Sequence, residues 1–241
     1  MEHPSLETND LGSYQDLLEK FLSRNYQFVF FRELTQPMGQ LALRHDIDFD
    51  THFALRTARI EAELGIKATY FFLLRSNFYN ILSADDALNV HKIKELGHTV
   101  SIHFDPVIYD DFHEGLLLEA DIFQRYFNVP VNIISLHRPN QFFREYDSPI
   151  KGIEHTYQSK YFKDIKYFSD STGQWRFGAP TDSVEFMQGK SLHVLIHPVW
   201  WMVAGASNLD KLQKYFGQRT QLLKKEFFDN CLPFREIYAH V

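Results

Sequence analysis

Three features of this 241-residue sequence predict an α/β fold built from parallel strands. Short apolar runs typical of buried strands alternate with stretches whose apolar residues follow a helical spacing. Hydrophobic residues make up 44% of the chain, which is enough for a large buried core. Polar residues able to do chemistry stand where several predicted strands end. Because repeated βα units make parallel strands with right-handed crossovers, we expect a doubly wound sheet or a barrel.

The first half of the chain predicts a helix, a strand and then three βα units. The second of its predicted helices carries apolar residues at Phe53, Ala54 and Ala58 and ends at Gly65. Ser83 and Asp86 resemble a capping box at the start of the third helix, which ends before Gly97. The strands are predicted at residues 27–31, 41–48, 68–74 and 99–104, and the first helix at residues 14–22.

The second half is regular except for one long interval. A helix at residues 111–127 precedes a strand at 131–136, and a strand at 192–196 precedes a helix at 208–228. Between residues 139 and 190 the periodicity weakens, so this interval predicts long loops around one short strand at 166–169. Long loops in a compact domain are usually functional.

Composition limits the partners and the compartment. The 25 basic and 31 acidic residues give a formal net charge of -6, whereas a nucleic-acid-binding protein needs a cationic face. We therefore expect no nucleic-acid partner. One cysteine, Cys231, excludes an intrachain disulfide. Neither a signal-like segment nor a long apolar span is present, which predicts a soluble cytoplasmic protein without a membrane span.

Two aspartates at the end of one strand are the first sign of a site. Asp46 and Asp48 are two residues apart, so their side chains share one face of the strand. Two carboxylates this close repel each other unless a cation, a proton or a basic residue offsets them.

Histidines occupy the ends of three other predicted strands. His103, His137 and His197 stand at these ends, and Asp170 follows the short strand at 166–169. In parallel α/β folds the carboxyl ends of the strands meet at one edge, where ligands bind. A mixed set of aspartate and histidine suits Zn²⁺, Fe²⁺, Co²⁺ or a similar divalent ion. The pattern therefore favours metal-assisted hydrolysis.

Several short segments between about residues 41 and 200 follow one another in an order that matches the motifs of a known family. They are Arg44-His45-Asp46-Ile47-Asp48, the run from Gly97 to His103, His137-Arg138-Pro139, Ser169-Asp170-Ser171 followed by Trp175, and Ile196-His197-Pro198. In this order they resemble the motifs of the NodB-homology polysaccharide deacetylases, carbohydrate esterase family 4. The Arg44-His45-Asp46 start and the His197-Pro198-Val199-Trp200-Trp201 ending are similar to those of the WbmS-like subgroup, which is associated with bacterial surface-polysaccharide loci.

The resemblance implies an α/β fold of the irregular (β/α) barrel type found in glycoside hydrolases and deacetylases. Residues 1–241 would form a single domain, with 1–40 as a helix-strand extension and 41–241 as the catalytic barrel. The implied activity is hydrolysis of an N-acyl group, foremost N-acetyl, from an amino sugar or glycan in surface-polysaccharide metabolism such as O-antigen biosynthesis. The alternatives are an inactive sugar-binding protein on this fold, or a deformylase or other C–N amide hydrolase.

The resemblance also implies roles for individual residues. Asp46 would be the general base, Asp48 and His103 would bind the metal, and His197 would be the catalytic acid. Independently of the resemblance, Arg138 is placed to pair with Asp46, and Asp170 to orient His197 or Arg138, with a loop salt bridge as the alternative for each. Trp175, Trp200 and Trp201 are expected either to wall the acyl or sugar pocket or to pack beneath the loops. The implied cofactor is a divalent ion, first Zn²⁺, with Fe²⁺, Co²⁺, Ni²⁺ or Mn²⁺ as alternatives.

One departure from the family pattern leaves the third metal ligand open. The usual second motif has another histidine four residues after His103, but this chain has Val107 there. His137 ends its own strand and is the first candidate for the missing ligand. Asp105, two residues after His103, is the second. The histidines expected in structural or solvated roles are His45, His98, His113 and His193.

Overall fold

A computed structural model of the protein describes residues 11–176 and 178–238, without the side chain of Tyr238. The first ten residues of the predicted N-terminal extension lie outside this range. The described chain divides into two compact units, residues 11–202 and residues 203–238. No helix in the described part of the chain is long and apolar enough to cross a membrane.

The larger unit is built on a curled half-barrel sheet of parallel strands. The strands are β1 Gln27–Phe28, β2 Gln40–Ile47, β3 Thr69–Phe72, β4 Thr99–Phe104, β5 Ile133–Leu136, β6 Glu154–His155, β7 Lys166–Ser169 and β8 Leu192–Ile196. Their order is β6-β5-β4-β3-β2-β8-β7, with β1 beside β2. Every pairing is parallel. The predicted α/β fold with parallel strands is therefore confirmed.

Helices connect the strands and begin at side chains that satisfy free backbone N–H groups. The helices of this unit are α1 Tyr14–Ser23, α2 Thr51–Glu63, α3 Ala84–Glu95, α4 Phe112–Phe127, α5 Gln141–Glu145, α6 Ser159–Phe162, α7 Val184–Met187 and α8 Val199–Met202. Ser83 caps α3 by accepting the N–H of Asp86 at 3.4 Å, as the capping-box pattern predicts. Gly65 follows α2 with φ of 71°, a left-handed conformation that favours glycine.

The interval between residues 139 and 190 is more regular than predicted. It contains α5, α6, α7 and the strand β6 in addition to the predicted strand β7. Each of these additional elements spans two to five residues, which is too short to show a helical or strand periodicity in the sequence. The first predicted strand is also shorter than expected, because the chain turns into a 3₁₀ helix at Phe31–Glu33.

A buried carboxylate ties the first helices to the centre of the sheet. Glu61 of α2 accepts hydrogen bonds from Tyr14 and, at 2.6 Å, from Tyr70, and its Oε1 lies 2.6 Å from His45 Nε2. All four side chains are buried. His98 joins the same cluster through its Nδ1, 3.5 Å from Glu61 Oε2, while its Nε2 lies 3.0 Å from the carbonyl of Ala58. The expectation that His45 and His98 are structural agrees with these contacts.

A second buried carboxylate lies on α4. Glu119 is 3% exposed, and its Oε1 accepts a 2.6 Å hydrogen bond from Tyr109 Oη. Its Oε2 has no hydrogen-bond partner among the described residues. Burial raises the pKa of Glu119 to about 7, although Tyr109 and Arg75 oppose the shift, while Asp105 adds to it. The neutral acid is therefore the form that the fold stabilises.

We expect this carboxyl group to make stability fall as the pH rises. An ordinary glutamate pKa is 4.5, so the unfolded chain loses the Glu119 proton before the folded chain does. The raised pKa therefore contributes up to about 3 kcal/mol to the free energy of unfolding below pH 4.5. This contribution is lost as the pH rises through 7. Urea unfolding of the wild type and of Glu119→Gln between pH 5 and 8 measures it. The free energy of unfolding of the wild type should fall relative to that of Glu119→Gln as the pH rises across this range. A difference between the two proteins that does not change with pH would contradict the assignment.

The smaller unit is a pair of helices, α9 Asn208–Asn230 and α10 Leu232–Tyr238. Ser207 caps α9 by accepting the N–H of Asp210 at 3.1 Å. Arg235 of α10 donates to the carbonyls of Phe228 and Asp229 at 3.0 and 2.9 Å, which satisfies acceptors at the end of α9. The predicted closing helix at 208–228 is therefore present and slightly longer.

Candidate active site

The polar residues predicted at the strand ends lie around one cavity of about 740 Å³. Asp46, Asp48, His103, His137 and His197 all line it. They meet because parallel pairing places β2 between β3 and β8, with β4 and β5 beyond β3, so that all the carboxyl ends share one edge. Asp46 Oδ2 and Asp48 Oδ1 lie 3.7 and 3.3 Å from His103 Nε2. The two aspartates therefore point to the same place.

Three of these side chains, Asp48, His103 and His137, have the geometry of a metal site, and we call them the metal-type group. One ligand atom each from Asp48, His103 and His137 lies within 4.8 Å of the others. Asp48 Oδ1 is 3.3 Å from His103 Nε2 and 3.5 Å from His137 Nδ1. This buried oxygen has no well-aligned hydrogen-bond partner among the described residues. A carboxylate oxygen and two ring nitrogens that converge in this way fit a divalent ion.

Hydrogen bonds behind the two histidines set their orientation. His103 Nδ1 lies 2.6 Å from Ser135 Oγ, which leaves Nε2 directed into the group, 2.9 Å from His137 Nδ1 and 3.3 Å from Asp48 Oδ1. His137 Nε2 accepts a 2.7 Å hydrogen bond from Arg138 Nε, so in the neutral ring the proton is on Nδ1. A metal ligand must offer a lone pair. Coordination through His137 Nδ1 therefore requires Arg138 to release Nε2 so that the proton can move there.

The predicted general base is held by an arginine from its own strand. Arg44 Nε and Nη2 donate to Asp46 Oδ1 and Oδ2 at 2.8 and 2.6 Å, and both residues are buried. Burial would raise the pKa of Asp46, but the Arg44 guanidinium outweighs it and lowers the pKa to about 2. The predicted pairing of Arg138 with Asp46 is not formed, because Arg138 bonds His137 instead.

Asp170 fixes the predicted catalytic acid. Its Oδ1 lies 2.6 Å from His197 Nδ1, and both of its oxygens lie 3.0 Å from the His197 backbone N. Trp201 Nε1 donates to Oδ2 at 2.7 Å. Burial would lower the pKa of His197, but the Asp170 carboxylate outweighs it and raises the pKa to about 9. Of the two predicted partners of Asp170, the structure shows His197.

Replacing Asp170 by Asn is expected to lower kcat by between about 10² and 10⁴-fold, with little change in KM. An asparagine has one acceptor oxygen, so its NH₂ group would face a donor, either His197 Nδ1–H or Trp201 Nε1–H. The imidazole would then lose its orientation or its tautomer. Steady-state kinetics on the deacylation proposed below measure the loss. Trp201→Phe is the matched control, since it removes only one bond to Asp170 and should cost much less. A variant within twofold of the wild type would contradict the assignment.

The remaining predicted residues lie around the site or in the core. Asp105 lines the cavity, but it accepts the N–H of Val107 at 3.2 Å and is not part of the metal group. Val107 is 57% exposed. His193 Nδ1 contacts the carbonyl of Tyr161 at 2.9 Å in the core, and His113 lies beside Asp111 in a helix cap. These histidines therefore have the structural roles expected of them.

The three tryptophans have different positions. Trp200 lines the cavity, as expected of a pocket wall. Trp201 binds Asp170 and packs against Trp175, with ring centroids 6.1 Å apart. Two side chains with clear positions at the site, Arg44 and Ser135, received no role from the sequence.

The sequence matches no protein-family model and no curated protein. Solved structures with a similar fold include a chitin deacetylase from the fungal pathogen Colletotrichum lindemuthianum, 16% identical over 76% of this chain and 84% of that one, with a TM-score of 0.45. A peptidoglycan deacetylase from Bacillus subtilis is 12% identical over 85% and 98% of the two chains, with a TM-score of 0.44. A family 4 acetyl xylan esterase from Clostridium thermocellum, in complex with a cobalt ion, is 12% identical over 77% and 84%, with a TM-score of 0.38. At these values nothing about substrate or mechanism follows from the similarity.

Proposed function

We propose that this protein is a divalent-metal-dependent hydrolase that removes an N-acyl group, foremost N-acetyl, from an amino sugar. One observation carries the proposal. A metal-type group, a carboxylate held by an arginine and an imidazole held by a carboxylate all face the same cavity. Amide hydrolysis needs these three functions, which are activation of the carbonyl and water, a proton acceptor, and a proton donor for the leaving amine.

Asp48, His103 and His137 would hold the ion, with Zn²⁺ as first choice for two nitrogens and one oxygen. When bound, the ion supplies Lewis-acid polarisation of the amide carbonyl and makes water a stronger nucleophile. The chain's own contribution at this point is orientation. Ser135 holds the ring of His103, and the buried Oδ1 of Asp48 is already aimed between the two imidazoles.

Asp46 would accept the proton of the attacking water. The fork of Arg44 occupies one side of both carboxylate oxygens and fixes their direction, while His103 lies 3.7 Å from Oδ2 on the cavity side. A carboxylate fixed in this way does not have to reorient during the reaction. The pair Arg44 and Asp46 therefore acts as one rigid proton acceptor.

His197 would protonate the departing amine through Nε2, because Nδ1 is occupied by Asp170. His197 Nε2 is 3.9 Å from Asp48 Oδ2, so the proton donor lies beside the metal-type group. In the net reaction the C–N bond breaks, the acyl carbon gains a hydroxyl group and the nitrogen gains a proton. Arg44 and Asp170 each hold a residue of the proposed proton-transfer pair, Asp46 and His197, in a fixed orientation, which favours the hydrolase over an inactive sugar-binding protein.

The test is acyl release by the purified protein from a panel of N-acetylated and N-formylated amino sugars. The protein is loaded in turn with Zn²⁺, Co²⁺, Ni²⁺, Mn²⁺ and Fe²⁺, and both acid and amine products are measured. We expect release that stops after treatment with a chelator and returns when the metal is restored. Stoichiometric metal without release from any member would contradict the hydrolase and favour a binding protein. Release from the formyl compounds alone would contradict the N-acetyl preference.

A further inference from the structure

Four arginines surround the candidate active site. They are Arg75, Arg138, Arg144 and Arg176, and all four line the cavity. Arg75 follows β3, Arg138 follows β5, Arg144 lies on α5 and Arg176 follows β7. The cationic side chains therefore approach the cavity from separate segments of the sheet edge, although the chain as a whole carries a formal charge of -6.

Among the described residues, none of these four guanidinium groups is paired with a carboxylate of the cavity, although Arg75 interacts electrostatically with Glu119 behind Tyr109. In the described ranges none of the four forms an ion pair with a carboxylate, whereas Arg44 and Arg125 both do. Three acidic residues line the same cavity, and each has another partner. Asp46 is bound by Arg44, Asp48 belongs to the metal-type group, and Asp105 accepts a backbone N–H. The charge of the arginines is therefore available to a ligand.

Contacts with neutral groups hold two of the four guanidinium groups in place. The carbon of the Arg75 guanidinium lies 5.3 Å from the centre of the Tyr109 ring, and Glu119 in turn fixes Tyr109. Arg144 Nε donates to the carbonyl of Pro139 at 3.1 Å. Arg138 Nε donates to His137, and metal binding by His137 would release this guanidinium group to the cavity. Each contact uses one face or one N–H of a group with five N–H donors. The remaining donors are free to bind oxygen atoms.

We propose that the cavity binds an amino sugar that carries a phosphate or diphosphate ester, and that these arginines bind the phosphate oxygens. The inference rests on the proposed function for the identity of the sugar. A carboxylate carries one charge and is satisfied by one guanidinium fork, whereas a phosphate ester offers more charge and more oxygens to several forks. A volume of about 740 Å³ leaves room for a sugar and its anionic group.

Binding of ligands that lack an N-acyl group tests the inference without turnover. Calorimetry on the full-length protein compares glucose, glucuronate, glucose 1-phosphate and UDP-glucose. We expect glucose 1-phosphate or UDP-glucose to bind at least about tenfold more tightly than glucose and glucuronate, because hydrogen bonds between charged groups are the stronger ones. A preference for UDP-glucose over glucose 1-phosphate would identify a nucleoside diphosphate as the ligand group. Equal binding of glucose or glucuronate would overturn the proposal.

Matched variants test the arginines themselves. The double variant Arg144→Gln/Arg176→Gln changes two exposed side chains of the cavity, while Arg125→Gln changes an exposed arginine of α4 that is paired with Asp121. The double variant should lose at least about tenfold in affinity for the phosphorylated ligand, and Arg125→Gln should lose none. Unchanged affinity in the double variant would overturn the assignment.

Two outcomes separate this inference from the proposed function. If the phosphorylated ligands bind but no N-acyl sugar is deacylated, the hydrolase proposal fails and the proposed phosphate site is supported. If a phosphate-free N-acetyl sugar is deacylated with the same KM as its 1-phosphate, the hydrolase proposal is supported and the proposed phosphate site fails.

Discussion

The variant Asp48→Ala is expected to lose metal binding and N-deacylation together. Asp48 Oδ1 is the atom that both imidazoles face, at 3.3 and 3.5 Å, and an alanine leaves two neutral nitrogen ligands and no charge to offset the cation. Bound metal, measured by elemental analysis after reconstitution, should fall from one ion per chain to background. Acyl release should fall below detection.

Asp105→Asn is the matched control for this experiment. Asp105 was the other candidate for the third ligand, it lines the same cavity, and the structure places it outside the metal-type group. This variant should therefore keep one ion per chain, whereas His137→Gln should lose it. If Asp48→Ala kept its metal and its full activity, the site would be assigned wrongly. If Asp105→Asn lost the metal while His137→Gln kept it, Asp105 would be the third ligand.

The positions of the site residues at strand ends could be predicted because parallel strands impose a simple rule. Each βα unit brings the carboxyl end of its strand to the same edge, so Asp46, His103, His137 and His197 meet whatever the loops between them do. The strands themselves were visible because they are buried on both faces. β2, for example, has all eight residues buried. A strand of two residues such as β6 carries no such pattern.

The partners of these residues could not be predicted in the same way, because they depend on strand register. Ser135 shares a face with His137 in the sequence, yet it bonds His103, since β4 and β5 pair with His103 opposite Ser135. Asp170 could have oriented either of two residues. Pairing of Ser169 with Leu195 in the adjacent strands brings it to His197. Register is set by the whole sheet and not by the local sequence.

The arginine partner of Asp46 was a missed prediction that the sequence could have supplied. Arg44 stands two residues before Asp46, so the rule that places Asp46 and Asp48 on one face of the strand applies to Arg44 as well. A charged residue in the middle of a buried strand is stable only when it is paired. Arg44 is 0% exposed, and the carboxylate on its own face is the partner.

Replacing Arg44 by Met is expected to destabilise the protein by about 3–5 kcal/mol, because it leaves the buried carboxylate of Asp46 without its counter-charge. Methionine fills a similar volume beside the Tyr157 ring, which Arg44 now covers at 5.2 Å, so little of the loss should come from packing. The free energy of unfolding is measured by urea denaturation in the presence of a chelator, so that metal binding does not contribute. A loss below about 1 kcal/mol would contradict the prediction, since surface substitutions cost that little.

The double variant Arg44→Met/Asp46→Leu shows whether the cause is charge. Removing one member of a buried ion pair is costly, whereas replacing both members with apolar residues is often neutral or stabilising. The double variant should therefore be more stable than Arg44→Met by several kcal/mol, although it lacks the proposed base and should release no acyl group. If the double variant were less stable than Arg44→Met, the stability losses of the two substitutions would add, and lost packing would be their cause instead of charge. Recovery of stability without recovery of activity would mean that this ion pair is kept for the chemistry of Asp46, because an apolar pair would serve the fold at least as well.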